Sequence, residues 1–290
     1  MPSPRIALLT CAGCLSSATP RREDAYEHDR EMAAFVPAFR DAGMELVETD
    51  WRSGFDASDY DLVWVRSTWD YAEHCPEFLA MLDAAAKLSR VANSPALIRW
   101  NLNKHYLMEM DPSRQPIIPS LFVGAQAMRA AEAFDALGCD QLVAKPVVGA
   151  AGLGQRLLAR GADDDALIRP GQFAQPLIAS IRDFGEISLI FIAGTFSHAV
   201  RKTARGGEYR IQVIHGGGED AYTPDDETVR AAARYLDALP TPAVAVRVDL
   251  VRGDAGWLLM ELEAIEPHLF PNFGQDVGER CAAACWAMLG

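Results

Sequence analysis

The sequence predicts an α/β domain with an open, mostly parallel sheet, followed by an α+β region built from antiparallel sheets. Three observations predict this order. Up to residue 93, apolar strand-like runs alternate with amphipathic helical runs, which is typical of a parallel sheet with crossover helices. From Gln141 onward, strand-like runs follow one another through short turns, which indicates antiparallel hairpins. Between them, the tripeptide at residues 93–95, Asn-Ser-Pro, marks the change of pattern.

The elements of the first domain follow from their hydrophobic periods. Apolar runs predict strands, and 3.6-residue periods predict helices. The predicted strands are RIALL, MELVETDW and DYDLVWVR, and the predicted helices are EHDREMAAFVPAFRDAG, ended by Gly43, and PEFLAMLDAAAKLS.

The elements of the second region are assigned in the same way. The run ALIRWNLNKHYLMEM predicts one helix, and the proline-rich QPIIPS follows it. The helix DDETVRAAARYLDAL interrupts a series of strands. Those strands are LVAKPVV, GQRLLA, EISLIFIAGTFSHAVRK with a turn at Gly194, AVAVRVDLV and WLLMELEA.

Composition narrows the function classes. A chain of 290 residues with 50% hydrophobic and 23% charged residues is typical of a globular protein of about two domains. Its net charge of −13 would repel a nucleic-acid backbone or an anionic bilayer. We therefore expect neither nucleic acid nor membrane as a partner. A small anion bound through metal ions stays open, since carboxylates attract Mg²⁺.

The N-terminal run IALLTCAGC loosely resembles an export signal, but its strongly apolar part, Ile6 to Leu9, is too short for a signal core. We interpret it as the first strand and expect a cytoplasmic protein. The six cysteines then predict free thiols. Redox chemistry at the Cys11/Cys14 pair is the alternative, because Cys-x-x-Cys after a first strand is a known redox placement.

The stretch VAKPVVGAAGLGQ places Lys145 just before a turn that contains Gly149, Gly152 and Gly154. It lacks the Gly-Lys-Ser/Thr ending of a P-loop and leads into a strand, unlike a Rossmann turn. Backbone N–H groups in such a turn can cover phosphates while the ammonium neutralises them. A flexible hairpin without a ligand would show the same pattern, so this loop alone leaves both interpretations open.

Two strands near the C-terminus carry a cluster of charge. Strand alternation puts Arg247 and Asp249 on one face of AVAVRVDLV, and Glu261 and Glu263 on one face of WLLMELEA. Any hairpin register that keeps the apolar face continuous brings these side chains together. Three adjacent carboxylates destabilise a sheet unless cations lie among them. The cluster therefore predicts hard divalent ions beside Arg247; the alternative is a solvated polar face.

Lysine, glycine loop and acidic strands, in this order, make the chain resemble the ATP-grasp ligases over roughly residues 94–290. The resemblance implies two subdomains that clamp a nucleotide, at residues 94–178 with the lysines and the glycine loop and at 179–290 with the metal-binding strands. Residues 1–93 would be the α/β domain that precedes the grasp and contributes to substrate binding. The implied cofactors are ATP and Mg²⁺, with Mn²⁺ as an alternative, and family habit suggests a homodimer.

The resemblance also implies a role for each matching residue. The phosphates of ATP would contact Lys104, Lys145 and the lid formed by Gly149, Gly152 and Gly154. The adenine hinge would be Gln175, Pro176, Leu177 and Ile178, and the ribose would bind Glu186. The γ-phosphate or the substrate carboxylate would be bound by Arg210 together with either Arg201 or Lys202. Arg247 would complete the catalytic residues. The metal ligands would be Asp249, Glu261 and Glu263.

Two positions depart from the family pattern. Pro176 stands in the hinge where an acidic residue is frequent, although its carbonyl can still accept from the adenine amino group. Glu263 stands where many relatives have asparagine, which adds negative charge and affects the number and geometry of the metal ions.

The substrate is expected at the carboxyl edge of the first sheet, where open α/β sheets bind ligands. We call residues 66–70 the substrate rim; they are Arg66, Ser67, Thr68, Trp69 and Asp70. Packing by Trp69 and turn capping by Asp70 are equally compatible with this stretch. Glu266 and His268, which follow the acidic strands, complete the predicted substrate residues.

Within the family, NSPALIRWNLNKHYL, GEISLIFIAGTFSHAVRK and LLMELEAIEPHLF are most similar to the cycloserine-forming O-ureido-serine cyclo-ligases. This resemblance implies that an amino-acid-like carboxylate becomes an acyl phosphate and that a nitrogen in the same molecule then attacks it. Three alternatives stay open. They are a ligase joining two separate molecules, an ATP-grasp kinase and a non-catalytic nucleotide-binding module.

Overall fold

The computed structural model of the protein describes residues 3–149, 152–204 and 217–290. Residues up to Ala92 form a four-stranded parallel sheet in the order β2-β1-β3-β4. Its elements are β1 (Arg5–Thr10), α1 (Ala25–Asp41), β2 (Glu45–Asp50), β3 (Leu62–Ser67), α2 (Cys75–Ala85) and β4 (Arg90–Ala92). The predicted parallel sheet is confirmed, and β4 is an addition to it.

Helices cover both faces of this sheet, as a parallel sheet requires. On one face, Phe35 and Phe39 of α1 pack against Trp64 of β3, with the rings of Phe39 and Trp64 stacked at 5.6 Å. On the other face, Phe78 and Leu82 of α2 pack against the strands. All of β3 is buried, and its first four residues, 62–65, form an uninterrupted apolar run for this reason.

The central region is an antiparallel sheet in the order β5-β10-β7-β8, with a small β6–β9 pair beside it. Its elements are α3 (Pro95–Leu102), β5 (Leu121–Phe122), β6 (Met128–Arg129), α4 (Ala130–Leu137), β7 (Gln141–Pro146), β8 (Arg156–Ala159), β9 (Leu167–Ile168) and β10 (Gln172–Pro176). Helix α4, which ends at Gly138 in the left-handed conformation, was not predicted from the sequence.

The C-terminal region is an antiparallel sheet in the order β13-β12-β11-β14-β15. Its elements are α5 (Ser180–Asp183), β11 (Glu186–Ile192), β12 (Thr195–Thr203), β13 (Gly218–Tyr222), α6 (Asp226–Ala233), β14 (Ala245–Gly253), β15 (Gly256–Glu263) and α7 (Val277–Ala287). The predicted hairpin turn at Gly194 is present, with φ +74°.

The single helix expected over ALIRWNLNKHYLMEM is wrong. Helix α3 ends at Leu102, and a separate 3₁₀ helix covers Lys104–Glu109. Asn103 separates them because its backbone is extended and its side chain accepts from the His105 N–H at 3.0 Å. This break places Lys104 at the start of a new helix, where its own N–H donates to the Val147 carbonyl at 2.9 Å.

Helix α7 returns to the first domain and packs against α1. Gly278 allows this close approach, since a Cβ there would lie 2.2 Å from the Ala34 carbonyl oxygen. Cys281 and Cys285 of α7 share one core with Phe35 of α1. The division at residues 93 and 178 stays a prediction, and the chain's last helix belongs to the core of its first domain.

Among the described residues, no helix combines the length and the apolar character that crossing a bilayer requires.

Candidate active site between the antiparallel sheets

One cleft collects most of the predicted nucleotide and metal residues. It lies between the central sheet, the C-terminal sheet and the glycine loop. The predicted residues that line it are Lys104, Lys145, Gly149, Gly152, Gln175, Pro176, Leu177, Ile178, Glu186, Lys202, Arg247, Asp249, Glu261 and Glu263. Residues from six separate sequence segments thus meet in one place.

The acidic strands pair as predicted. In the β14–β15 ladder, Arg247 lies opposite Glu263 and Asp249 lies opposite Glu261. The Arg247 guanidinium contacts both neighbours, with Nη2 at 2.9 Å from Asp249 and at 2.5 Å from Glu263. Although burial raises the pKa of Asp249, the cations Arg247 and Lys202 hold it below its usual value.

Lysines neutralise the remaining carboxylates. The Lys104 Nζ lies 2.9 Å from both the Glu261 carboxylate and the Gly149 carbonyl. The Lys202 Nζ lies 2.5 Å from Glu186. Among the described residues that line the cleft, four anionic side chains thus face four cationic ones, the last being Lys145. Positive and negative side chains are thus equal in number in the cleft. A nucleotide that enters must therefore replace some of these ion pairs with contacts to its own phosphates.

Lys145 has a neutral amide, that of Gln175, as a hydrogen-bond partner. Its Nζ donates to Gln175 Oε1 at 2.8 Å, and Gln175 Nε2 donates to Ser120 Oγ at 2.9 Å. Burial, opposed by Glu261 and assisted by Lys104, lowers the pKa of Lys145 to about 8. A multivalent anion beside it would restore a fully charged ammonium.

The hinge segment forms one end of the cleft. Leu177 and Ile178 line it together with Phe173, Ile118 and Ile181, which gives this end an apolar wall. The Leu177 N–H donates to the Gln141 carbonyl at 3.0 Å and ties the segment to β7. A flat aromatic base fits such a wall.

The glycine loop connects β7 to β8, as predicted. Gly149, Gly152 and Gly154 have φ values of +155°, +69° and +71°, which favour glycine. Gly149 and Gly152 line the cleft, whereas Gly154 lies against the Pro146 ring. Residues 150 and 151 lie outside the described part of the chain.

One of the predicted catalytic arginines, Arg201, does not line the cleft. Strand alternation turns Arg201 away from Lys202, and its guanidinium lies 5.8 Å from the Phe184 ring and 4.0 Å from Asp220. Arg201 and Lys202 were the two alternatives for binding the γ-phosphate, and Lys202 is the one that faces the cleft. Arg210 lies outside the described residues.

Arg66, the first residue of the predicted substrate rim, is held in a buried ion pair. Arg66 is 2% exposed, and its Nη2 donates to Glu31 and to the Pro267 carbonyl at 2.7 Å. Burial raises the pKa of Glu31, yet Arg66 and His268 together hold it at about 2. Arg66 therefore joins α1 to the segment after β15 and is not free to bind substrate.

The other members of the rim make structural contacts. Ser67 Oγ lies 2.8 Å from His28 Nδ1, and Thr68 is fully buried. Trp69 packs in the core of the first domain beneath Arg22, and Asp70 accepts from the indole of Trp51 at 2.7 Å. Contact of these four with substrate stays a prediction.

The last two predicted substrate residues lie between the cleft and the first domain. Glu266 is 4% exposed. His268 Nδ1 lies 3.5 Å from Glu31 and 4.0 Å from Glu27, and its ring contacts Phe270 edge-on. The cysteines Cys11 and Cys14, at the end of β1, are free thiols with their Sγ atoms 3.4 Å apart.

Two residues of this region were not predicted from the sequence. Tyr71 lines the cleft directly after the rim. The Asn101 amide holds the end of β15, donating to the Leu262 carbonyl and accepting from the Ala264 N–H, both at 2.7 Å. A polar residue on the apolar face of α3, beside Ile98 and Leu102, was the signal for Asn101.

Comparisons with known proteins identify the family. Residues 6–93 match the model described as the N-terminal domain of the D-cycloserine synthetase DcsG. The cycloserine biosynthesis protein DcsG of Streptomyces lavendulae is 32% identical over 277 residues, which cover 88% of this chain and 93% of that protein. The chain belongs to the DcsG family.

Solved structures agree with this assignment. The crystal structure of DcsG matches with a TM-score of 0.83 at 28% identity, over 99% of this chain and 100% of that one. The D-alanine–D-alanine ligase of Bacillus anthracis matches with a TM-score of 0.65 at 14% identity, over 99% and 97% of the two chains. The ATP-grasp ligase PsnB, bound to a minimal precursor, matches at 0.63 and 17%, over 98% and 99%. The fold is that of the ATP-grasp ligases.

Membership of the DcsG family makes this chain an ATP-dependent ligase that forms C–N bonds from a carboxylate and an amine. The donors present suit a hard cation, because Asp249, Glu261 and Glu263 offer oxygen ligands on adjacent strands. Within the described part of the chain these carboxylates pair with Arg247 and Lys104, and no group of three or more is arranged around a common metal position.

Proposed function

We propose that this protein cyclises O-ureido-serine to cycloserine, using ATP and Mg²⁺. The observation that carries the proposal is the balanced set of charges in one cleft, with an apolar hinge at one end. The relationship to a cycloserine biosynthesis protein supports the choice of substrate. A carboxylate substrate enters this cleft only beside cations, and Lys202 and Arg247 are the ones next to the acidic strands.

Each part of the cleft then has a function. The hinge from Gln175 to Ile178 binds the adenine, and Glu186 binds the ribose hydroxyls. Lys104, Lys145 and the glycine loop bind the phosphates, because an ammonium and backbone N–H groups both favour anionic oxygens. When the nucleotide enters, Lys104 exchanges its Glu261 partner for phosphate.

Asp249, Glu261 and Glu263 hold the magnesium, which offsets the negative charge of the transferring phosphoryl group. The extra charge of Glu263 is already matched by Arg247, which contacts it at 2.5 Å. Arg247 thereby keeps Glu263 oriented toward Asp249. Comparing rates with magnesium and with manganese tests the choice of metal.

The substrate carboxylate attacks the γ-phosphoryl group in line, giving an acyl phosphate and ADP. The ureido nitrogen of the same molecule then attacks the acyl carbon and closes the ring, while the bond from that carbon to the phosphate oxygen breaks and phosphate leaves. Water then cleaves the bond between this nitrogen and the carbamoyl carbon, so that the nitrogen gains a proton and the carbamoyl group leaves as carbamic acid, which decomposes to carbon dioxide and ammonia. Closure of the glycine loop excludes water, which would otherwise hydrolyse the acyl phosphate. Lys202 and Arg247 orient the carboxylate, and alanine variants of Arg201 and Arg210 test whether either arginine takes part in this step.

An ADP-release assay over a panel of amino-acid carboxylates tests the proposal. Turnover with O-ureido-serine alone supports cyclisation, whereas turnover that needs a second amine indicates the intermolecular ligase. Hydroxylamine should trap the acyl phosphate as a hydroxamate. A kinase gives ADP without hydroxamate, and a binding module gives neither.

Glu261→Gln tests the metal site. The amide removes a charged ligand with little change of shape, so we expect metal-dependent turnover to fall by at least a hundredfold while urea unfolding stays cooperative. Glu279→Gln, an exposed change of the same chemistry on α7, is the control. Wild-type rates in Glu261→Gln would remove Glu261 from the metal site.

We also propose that the protein acts in the cytoplasm as a homodimer. Sedimentation at two concentrations measures the oligomeric state, and a purely monomeric species would contradict this part of the proposal.

A further inference from the structure

Strand β15 carries two acidic residues of the cleft and is the outermost strand of its sheet. On its inner side it pairs with β14, which places Glu261 opposite Asp249 and Glu263 opposite Arg247. The outer side of such a strand presents a row of backbone N–H and C=O groups that no further strand binds. The positions of the two glutamates therefore depend on what binds those groups.

Two side chains bind the outer backbone groups of Leu262, which lies between the glutamates. The Tyr106 hydroxyl accepts from the Leu262 N–H at 2.9 Å and donates to the Leu262 carbonyl at 3.1 Å. The same carbonyl accepts from Asn101 Nδ2 at 2.7 Å, and Asn101 Oδ1 accepts from the Ala264 N–H at 2.7 Å. A phenol and an amide thus take the place of a neighbouring strand.

Both side chains are buried, so water does not compete for these hydrogen bonds. Tyr106 is 2% exposed and Asn101 is 5% exposed. The ring of Tyr106 packs against that of Trp100, with the ring centroids 5.0 Å apart. A buried network in which every member has its partners holds one arrangement. The backbone between Glu261 and Glu263 is therefore fixed from outside the sheet.

The segment at residues 101–106 also supplies a cation to the cleft. Lys104 lies between the two side chains in sequence, and its Nζ is 2.9 Å from Glu261. Its own N–H is bound separately, by the Val147 carbonyl at 2.9 Å. Within the described part of the chain Tyr106 does not line the cleft, whereas Leu262 does. An effect of the Tyr106 hydroxyl on the cleft therefore passes through the backbone of β15.

We propose that Tyr106 and Asn101 are positioning residues that hold Glu261 and Glu263 in the positions from which they bind the metal ion; this inference rests on the proposed function. Hydrogen bonds that orient metal ligands change metal affinity typically by about 10–100-fold. Here the bonds act on the backbone between two ligands, so they fix both carboxylates at once. Binding of the nucleotide without metal does not depend on them, because Val147 holds Lys104.

Tyr106→Phe tests this role by removing a single oxygen atom. Calorimetry measures the affinity of the full-length protein for AMPPNP, a non-hydrolysable ATP analogue, first with EDTA and then with Mn²⁺. The increase in affinity on adding Mn²⁺ reports how well the carboxylates bind the metal. We expect this increase to be smaller in Tyr106→Phe than in the wild type by about tenfold or more. The affinity measured with EDTA should be unchanged.

Tyr235→Phe is the matched control. Tyr235 is 1% exposed, and its hydroxyl donates to the Pro116 carbonyl at 2.6 Å. That carbonyl also accepts from the Leu259 N–H, so Tyr235 supports a part of β15 that precedes the glutamates. This variant removes an equally buried hydroxyl and should keep the wild-type increase with Mn²⁺. The melting temperatures of both variants measure their general loss of stability.

Asn101→Leu is a second variant, which removes both amide hydrogen bonds at a similar side-chain volume. It should also reduce the increase with Mn²⁺, and it decides the question if Tyr106→Phe does not fold. An unchanged increase in the folded variant would overturn the assignment. An equal reduction in Tyr235→Phe would also overturn it, because that result indicates a general loosening of the sheet. If the wild type binds AMPPNP equally well with EDTA and with Mn²⁺, the proposed metal site fails and this inference fails with it.

Discussion

We expect Lys145 to couple ATP binding to pH. With a pKa of about 8, caused chiefly by burial, its ammonium is charged below pH 8 and loses its proton above it. Since kcat/KM reports the free enzyme, we expect kcat/KM for ATP to fall above pH 8, approaching about tenfold per unit. Steady-state rates between about pH 6.5 and 9.5 measure this dependence.

Lys145→Arg tests whether Lys145 causes this pH dependence. A guanidinium stays charged throughout this range, so the inflection near pH 8 should disappear even if the rate is lower. Lys87→Arg, an exposed change of the same kind, should keep the wild-type inflection. An inflection that persists in Lys145→Arg would assign it to another group.

Individual residues were predictable where a strand fixes the direction of the side chain. Alternation along two strands was sufficient to bring Arg247, Asp249, Glu261 and Glu263 together. Arg66 shows the limit of this reasoning. Its buried position depends on Glu31, which lies 35 residues earlier on a helix, and one sequence does not reveal such a pairing.

At the scale of elements, the turn at Gly185 sets the start of β11 and therefore the position of Glu186. Its φ is +88°, and a Cβ there would lie 2.1 Å from the Lys202 carbonyl oxygen. Gly185→Ala should therefore push β11 and β12 apart. We expect a loss of about 2–4 kcal/mol of unfolding free energy, from backbone strain and overpacking together, and a higher KM for ATP.

Gly194→Ala separates the effect of backbone strain from the effect of overpacking. Its φ is +74°, but no atom lies within 4 Å of the position that an alanine Cβ would take there, so only the backbone strain applies. Urea unfolding and ATP titration of both variants provide the measurement. Equal losses in the two would show that the close contact with Lys202 has no effect.

The antiparallel strands of the second region could be predicted from residue alternation and turns. The break between α3 and the 3₁₀ helix could not. Both pieces have apolar residues at helical spacing, and the interruption depends on one side chain, that of Asn103, binding a local N–H. Because the break presents Lys104 to Glu261, a small local contact decides where a predicted phosphate ligand lies.

At the scale of the whole molecule, α7 joins the two ends of the described chain. Gly278→Ala would force α7 away from Ala34, and we expect a loss of about 1–3 kcal/mol from overpacking. Ala283→Ser, at an exposed position of the same helix, should change stability by less than about 0.5 kcal/mol. Urea unfolding followed by tryptophan fluorescence measures both variants, and equal stabilities would contradict the close packing of α7 on α1.

The order of domains was predictable from the sequence, because βαβ alternation and hairpin series have different periods. The shared core was not, since Ile190 and Ile192 of β11 and Cys281 of α7 look like ordinary apolar residues until the topology places them beside Phe35. Sequence periodicity shows which face of an element is apolar but not which distant element covers it.

That shared core affects how the protein emerges from the ribosome. The first sheet and α1 can be translated and packed early, but the side of α1 that α7 covers stays exposed until α7 has been synthesised, long after β4. We expect the nascent chain to expose apolar surface during that interval, and chaperones bind such surface. Completion of the first domain therefore waits for nearly the whole described chain.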